Sequence, residues 1–259
     1  PMLKVEDLRV AGSHGADIVD GVSLEVRAGE IVGVAGVAGN GQDELVEAIT
    51  GLRQPRSGSI TLDGEDVTGD GPRALHGKKV AYVPADRHRF GLVLSFPLTD
   101  NVVLTDYYME PYSHGVIRDE GEIAKRADEA IAQYDVRTPA AGVTAGTLSG
   151  GNQQKLIVAR EFDRDLKLLV LDQPTRGLDV GSIEFIHKQV IRKRDAGTAV
   201  LLVSAELDEV LELSDRIAVM YRGKIVAVVD GRTANKEEIG LLMATGGRDA
   251  SASDEGPAA

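Results

Sequence analysis

The chain of 259 residues has no cysteine. Disulfides, a thiolate nucleophile and thiolate metal sites are therefore excluded, which fits a reducing compartment. No apolar run approaches the length of a membrane span, so any membrane role is expected to come through a partner. The first residues show no signal-peptide pattern, and Pro1 in place of a Met points to a trimmed or cloned start. Basic residues are in deficit: 29 Lys and Arg face 41 Asp and Glu, a formal charge of −12. Such a surface does not favour nonspecific nucleic-acid binding, which draws on phosphate neutralisation by Lys and Arg. The remaining composition, 42% apolar and 27% charged, is ordinary for a soluble protein. It suffices for one large α/β domain or a core with an inserted subdomain.

Hydrophobic periodicity divides the chain. Leu3, Val5 and Leu8 begin a strand, Val22 to Val26 alternates, and Arg27 to Glu30 turns into the apolar run Ile31 to Val34. A helix is predicted from Glu44 to Ile49, and Gly58 and Asp63-Gly64 flank a strand at Ile60 to Leu62. Val80 to Val83 reads as a core strand that ends at Pro84. The block from about 95 to 150 reads as a helical insertion, with a helix near 120 to 134 carried by Ile123, Ala127, Ala130, Ile131 and Tyr134. Strands return at Leu168 to Leu171 and Ala199 to Val203, separated by a helix lined by Ile183, Ile186 and Val190. Ile217 to Val228 reads as a hairpin turning at Arg222-Gly223. The predicted division is 1–95 as the first part of the core with a β subdomain, 96–155 as a helical subdomain, 156–246 as the second part of the core, and 247–259 as a disordered tail.

The run Gly36-Val37-Ala38-Gly39-Asn40-Gly41 follows a strand and opens a helix, the context of a phosphate-cradling loop. A working Walker A loop continues with Lys, which contacts the β and γ phosphates, and then Ser or Thr, which holds Mg²⁺. Here Gln42 and Asp43 stand instead. Further along, Leu148-Ser149-Gly150-Gly151-Asn152-Gln153-Gln154 precedes the strand that ends in Asp172. Ser149 offers a hydroxyl, the two glycines offer backbone N–H groups, and a helix is expected to start near Asn152, which together make an anion site. By themselves these residues read equally as a Ser-capped helix with glycines for its turn.

Taken together, the motifs resemble an ATP-binding cassette, the motor domain of ABC transporters, across nearly the whole chain. The resemblance implies a P-loop NTPase α/β fold with an antiparallel β subdomain and an inserted helical subdomain. It also implies ATP and Mg²⁺ as cofactors, with Asp172 as the metal-linked aspartate. In that family the Leu-Ser-Gly-Gly signature closes on the γ-phosphate held by an opposite cassette. It assigns Gly36, Gly39, Asn40, Gly41, Gln42, Asp43, Ser149, Gly150, Gly151, Gln153 and Asp179 to nucleotide binding. Asp179, in the D-loop, reads equally as a helix cap.

Several positions depart from the family. Gln173 stands where the general base is a Glu, and an amide cannot take a proton from water at neutral pH. Ala205 stands where a switch His belongs, and Ala85-Asp86-Arg87 follows Pro84 where a Gln is expected. Only His14 is available for the aromatic that stacks on adenine, and a surface-loop His is the plainer reading. Losing a Lys–phosphate contact forfeits roughly 1.5–3 kcal/mol, and Asp43 adds repulsion. Binding at the home site is expected to be weak, and hydrolysis by the isolated chain close to nil.

Asn152-Gln153-Gln154-Lys155 and Pro174-Thr175-Arg176-Gly177-Leu178-Asp179-Val180-Gly181 resemble a narrower group, the double-cassette ATPases of simple-sugar and nucleoside importers. That resemblance implies an N-terminal cassette in the same polypeptide as partner, transmembrane permease subunits, and indirectly a solute-binding protein. It implies a peripheral position on the cytoplasmic face of the plasma membrane. Phe96, Tyr107, Tyr108 and Tyr112 are candidates for a permease-facing surface, or for subdomain core. Two other functions stay open: a self-sufficient homodimeric ATPase, and a non-enzymatic nucleotide-binding or scaffold module.

Overall fold

Alternating apolar residues build the first sheet. In β1 (Leu3–Ala11), Leu3, Val5, Leu8 and Val10 are buried, and the alternation slips at Asp7, whose φ of 44° marks a bulge. The computed structural model describes residues 1–12 and 15–247. β1 pairs antiparallel with β2 (Asp17–Val26), after which the fully buried β3 (Ile31–Ala35) leads through the glycine loop into α1 (Gln42–Ile49). β4 (Ser57–Leu62) and β5 (Glu65–Asp66) complete a sheet ordered β2-β1-β4-β5. β4 starts before its predicted position because Gly58 lies inside it. At φ 89° a Cβ there would meet the Glu6 and Asp7 carbonyls at 2.6 and 2.5 Å, so glycine is what lets β4 run alongside the bulge.

The chain continues through α2 (Pro72–Gly77), β6 (Val80–Val83), a π-type turn at Arg87–Gly91 and α3 (Leu98–Val102). A short hairpin, β7 (Ser113–His114) and β8 (Ile117–Arg118), precedes α4 (Glu120–Gln133). This hairpin lies within the block read from the sequence as a helical insertion. Asp119 caps α4 by accepting from Gly121 and Glu122 N–H at 3.0 Å, while Ile123, Ala127 and Ala130 form its buried stripe. A 3₁₀ turn (Ala145–Thr147) leads to α5 (Gly150–Phe162), β9 (Leu168–Asp172), α6 (Val180–Asp195) and β10 (Ala199–Ser204). Last come α7 (Leu207–Leu213), β11 (Arg216–Tyr221), β12 (Lys224–Asp230) and α8 (Lys236–Thr245).

Two compact units interleave along this path, one from residues 1–27, 31–72 and 201 onward, the other from 28–30 and 73–200. In the first, β3 pairs parallel with β11, Gly33 opposite Ile217, and β11 pairs antiparallel with β12. Ala35, Val210, Ile217, Val219 and Ile239 form one of its cores. In the second, β6 and β9 pair parallel, Val80 opposite Leu168, as two apolar runs buried on both faces. Helix α5 is buried almost all round, and its polar side chains are paired: Arg160 meets Glu161 at 2.8 Å and donates to the Gly91 carbonyl at 2.8 Å. The helix begins at Gly150, two residues before the predicted start near Asn152. The predicted tail lies outside the described residues apart from Gly247.

The β11–β12 turn has the form that the strand twist demands, with left-handed Arg222 (φ 46°) and Gly223 (φ 79°). Gly223 N–H donates to the Asn40 carbonyl at 2.9 Å, and its own carbonyl accepts from Asp20 N–H at 2.8 Å. A Cβ at Gly223 would overlap the Ile18 carbonyl. Gly223→Ala is expected to lower unfolding stability by about 1–3 kcal/mol. The check is a lower denaturant midpoint at unchanged slope.

Candidate functional site

Strand β3 delivers the glycine loop, and three of its glycines answer to different constraints. Gly36 is buried: a Cβ there would overlap Gln42 Nε2 and meet the Met220 carbonyl at 2.9 Å. Gly39 (φ 86°) and Gly41 (φ 100°) hold left-handed conformations, and a Cβ at Gly41 would also meet the Ile18 carbonyl at 2.6 Å. Gln42, only 7% exposed, folds back into the loop and donates from Nε2 to the Val37 carbonyl at 3.1 Å. Asn40 donates to the same carbonyl at 2.9 Å, and its Oδ1 accepts from Arg222 N–H at 2.7 Å. Asn40 therefore braces the loop against the β11–β12 turn, a role its place in a glycine run did not reveal.

Helix α1 starts at Gly41 without a side-chain cap and carries Asp43 and Glu44 in its first turn. Backbone N–H groups at such an end favour an anion. However, residues 36–43 supply no cation and no hydroxyl, and exposed Asp43 adds negative charge. The backbone N–H groups at this end fit a phosphate group. The loop's residues do not fit the Lys and hydroxyl clamp of a magnesium triphosphate.

The second unit carries the other motif residues. Ser149 caps α5, its Oγ accepting from Asn152 N–H at 3.4 Å and from Asn152 Nδ2 at 3.0 Å. Gly151 is buried against the start of α6, where a Cβ would overlap Ser182 Oγ and stand 2.9 Å from Asp179 Oδ2. Asp179 caps α6, accepting from Ser182 N–H at 3.0 Å and Ser182 Oγ at 2.7 Å. The Ser182 hydroxyl and backbone together lower the Asp179 pKa below the usual carboxylate value. Gln153 faces inward: Nε2 donates to the Ala145 carbonyl at 3.2 Å, so its Oε1, 2.9 Å away, is left to accept from His88 Nε2. Gln154 donates to the Pro174 carbonyl at 2.8 Å, tying the signature helix to the turn after β9.

Asp172 ends β9 at 5% exposure. Gln173 follows with φ 48°, a left-handed conformation uncommon outside glycine and asparagine. Among the described residues no group of three or more His, Asp or Glu is placed to hold a metal ion. One carboxylate suits Mg²⁺ only where phosphates supply further oxygens. Ala205 is exposed after β10, and the Ser204 hydroxyl accepts from Glu206 N–H at 3.1 Å. His14 lies outside the described residues. Phe96 and Tyr107 are exposed, whereas Tyr108 and Tyr112 are half-buried.

Arg87 is a further contributor. Asp86 caps the π-type turn by accepting from His88 and Arg89 N–H at 3.0 Å. This aims Arg87 at the Arg176 carbonyl, 3.3 Å away, and beneath Gly150, whose Cβ would lie 3.0 Å from the guanidinium. No periodicity in the sequence encodes a π turn, so this placement of Arg87 was not legible in advance.

Known proteins resemble this chain in sequence and in fold. The family model described as ABC transporter matches residues 19–176. The chain is 51% identical over 243 residues to the guanosine import ATP-binding protein of Bacillus subtilis, covering 94% of this chain and 48% of that protein. It is 51% identical over 245 residues to the nucleoside import ATP-binding protein of Lactococcus lactis subsp. cremoris (95% and 48%). It is 44% identical over 254 residues to a glucose import ATP-binding protein of Haloferax volcanii (97% and 46%). The chain thus spans about half the length of the curated relatives it matches. A nucleotide-free ATP-binding cassette from an ABC transporter superposes with a TM-score of 0.77 at 23% identity, covering 94% of this chain and 95% of that one. A cassette solved as a dimer bound to ADP and Pi does so with 0.75 at 23% identity (90% and 100%). These two likenesses establish the ABC-type P-loop fold.

Restoring the missing cation tests the loop directly. Gln42→Lys is expected to tighten Mg-ATP binding by the isolated chain about 10- to 100-fold, the worth of one charged hydrogen bond. Titration calorimetry reads the change, and an unaltered affinity contradicts it.

Proposed function

The chain belongs to the ABC transporter family, and from that premise we propose that it is the second, C-terminal cassette of a double-cassette importer ATPase. It supplies its signature motif to the ATP site of the N-terminal cassette, while its own phosphate loop is hydrolytically impaired. The observation that carries the second half of this reading is Gln42, an amide where the family has its phosphate-binding Lys, turned back onto the Val37 carbonyl. Gln173 and Ala205 remove the base and the switch imidazole that the family would use with it.

The chain spans about half the length of these curated relatives, a length that would accommodate a second cassette of this size. Their printed activities, guanosine and nucleoside import, support a nucleoside as the solute, with simple sugars as the alternative class. In this reading residues 96–155 form the helical signature subdomain. Exposed Phe96 and Tyr107 contribute to the face turned to the permease, which a solute-binding protein feeds. In this reading the chain is held at the cytoplasmic face through that permease; no helix among the described residues is long and apolar enough to cross a membrane.

The division of labour is one of electrostatics. Transition-state charge on a transferring phosphoryl group is stabilised by pre-placed donors. This chain offers such donors at the α5 terminus, around Ser149, and lacks the matching cation at residues 36–43. A scaffold role is the second reading, favoured by a loop whose amide is satisfied within the protein.

The isolated chain is expected to hydrolyse ATP at background rate. The two-cassette protein is expected to be active and to lose about tenfold or more in kcat on Ser149→Ala, the loss typical of a removed transition-state donor. Rapid turnover by the isolated chain, abolished by Asp172→Asn, contradicts the proposal. An unaltered rate in the Ser149→Ala protein favours the scaffold reading.

A further inference from the structure

Resting on the reading that Ser149 completes a partner's ATP site, we propose that Asn152 is the positioning residue that aims the Ser149 hydroxyl outward. The orientation of the Asn152 amide is fixed by chemistry. The Arg137 backbone N–H donates to one end of it at 2.9 Å, and only the carbonyl Oδ1 can accept. The other end is then the NH₂ group, which donates to Ser149 Oγ at 3.0 Å. The Asn152 backbone N–H addresses the same oxygen at 3.4 Å. One residue thus directs two donors at one hydroxyl.

A serine hydroxyl has one proton and two lone pairs. With both lone pairs addressed from α5, the proton turns away from the helix, and Ser149 is exposed. The hydroxyl is held as a donor, the complement of a phosphate oxygen, which only accepts. The 135–137 turn holds the other end of Asn152, and it is tied to α5 again through Lys155. Lys155 is buried, and its ammonium lies 2.8 Å from the Asp135 carboxylate and 4.8 Å over the Phe185 ring. Together these groups line one side of a cavity of about 470 Å³.

Asn152→Asp keeps the acceptor for Arg137 and removes the donor. The Ser149 proton would then turn inward to the new carboxylate and be lost to a ligand. Aspartate suits the first turn of a helix, so the variant is expected to fold. Asn152→Ala removes the donor without adding charge, together with the acceptor for Arg137 N–H, and serves as the second variant.

The test is a double-mutant cycle on the two-cassette protein, with ATP turnover measured across ATP concentration and the thermal midpoint followed alongside. Asn152→Asp is expected to lower kcat about tenfold with the thermal midpoint unmoved, and Asn152→Ala about threefold with a lowered midpoint, because Arg137 N–H loses its acceptor. In the Ser149→Ala background either change is expected to alter kcat less than about twofold, because the residue acts through the hydroxyl. A loss that persists in full in that background, or a wild-type rate for both Asn152 variants, overturns the positioning role alone. A silent Ser149→Ala overturns the underlying reading and the positioning role with it.

Discussion

A single carbonyl, that of Val37, receives two side-chain amides, Asn40 Nδ2 at 2.9 Å and Gln42 Nε2 at 3.1 Å. A glycine bend at the end of a buried strand leaves carbonyls and N–H groups that must find partners. In this chain the partners come from the loop itself and from the β11–β12 turn. The glycines make this feasible: the missing Cβ at Gly36 is the space into which the Gln42 amide folds. A side chain that would carry charge to a phosphate is therefore a neutral brace. The first turn of α1 keeps the dipole of an anion site while Asp43 and Glu44 compensate it covalently.

The other unit is organised in the opposite sense. Several polar residues around α5 are given an internal partner, while Ser149 is exposed. Gln153 holds His88 and Ala145, Gln154 holds Pro174, and Arg87 reaches Arg176. Gly151 lets the start of α5 approach Asp179 and Ser182 closely. The phosphate loop is satisfied from within, whereas the start of α5 leaves Ser149 exposed. Both derive from local chemistry.

Much of this was legible in the sequence. The buried strands β3, β9 and β10 stand out as unbroken apolar runs, and α4 as a stripe from Ile123 to Ala130. The glycine loop, the signature and Asp172 carry their positions in their wording. Less legible were elements whose periodicity is masked. Helix α5 buries Gln153, Gln154, Lys155, Arg160 and Glu161 beside its apolar residues, so it has no polar face to give it away. Helix α7 and helix α8 were not anticipated, being short elements at the end of an α/β order already full of apolar residues. Asn40, Arg87 and Asn152 act through partners distant in sequence or through backbone groups, and no spacing rule encodes those contacts. Gly58 looked like a turn because the β1 bulge it accommodates is a property of two strands together.

Residues 36–43 lack the cation and the hydroxyl of a magnesium-triphosphate clamp. The most direct measurement is equilibrium binding of ATP to the unaltered isolated chain, with Mg²⁺ and with a chelator. A loop without cation or hydroxyl predicts weak binding that is indifferent to the metal. Tight capture that appears only with Mg²⁺, its terminal phosphate seated against Gln42, would contradict the account.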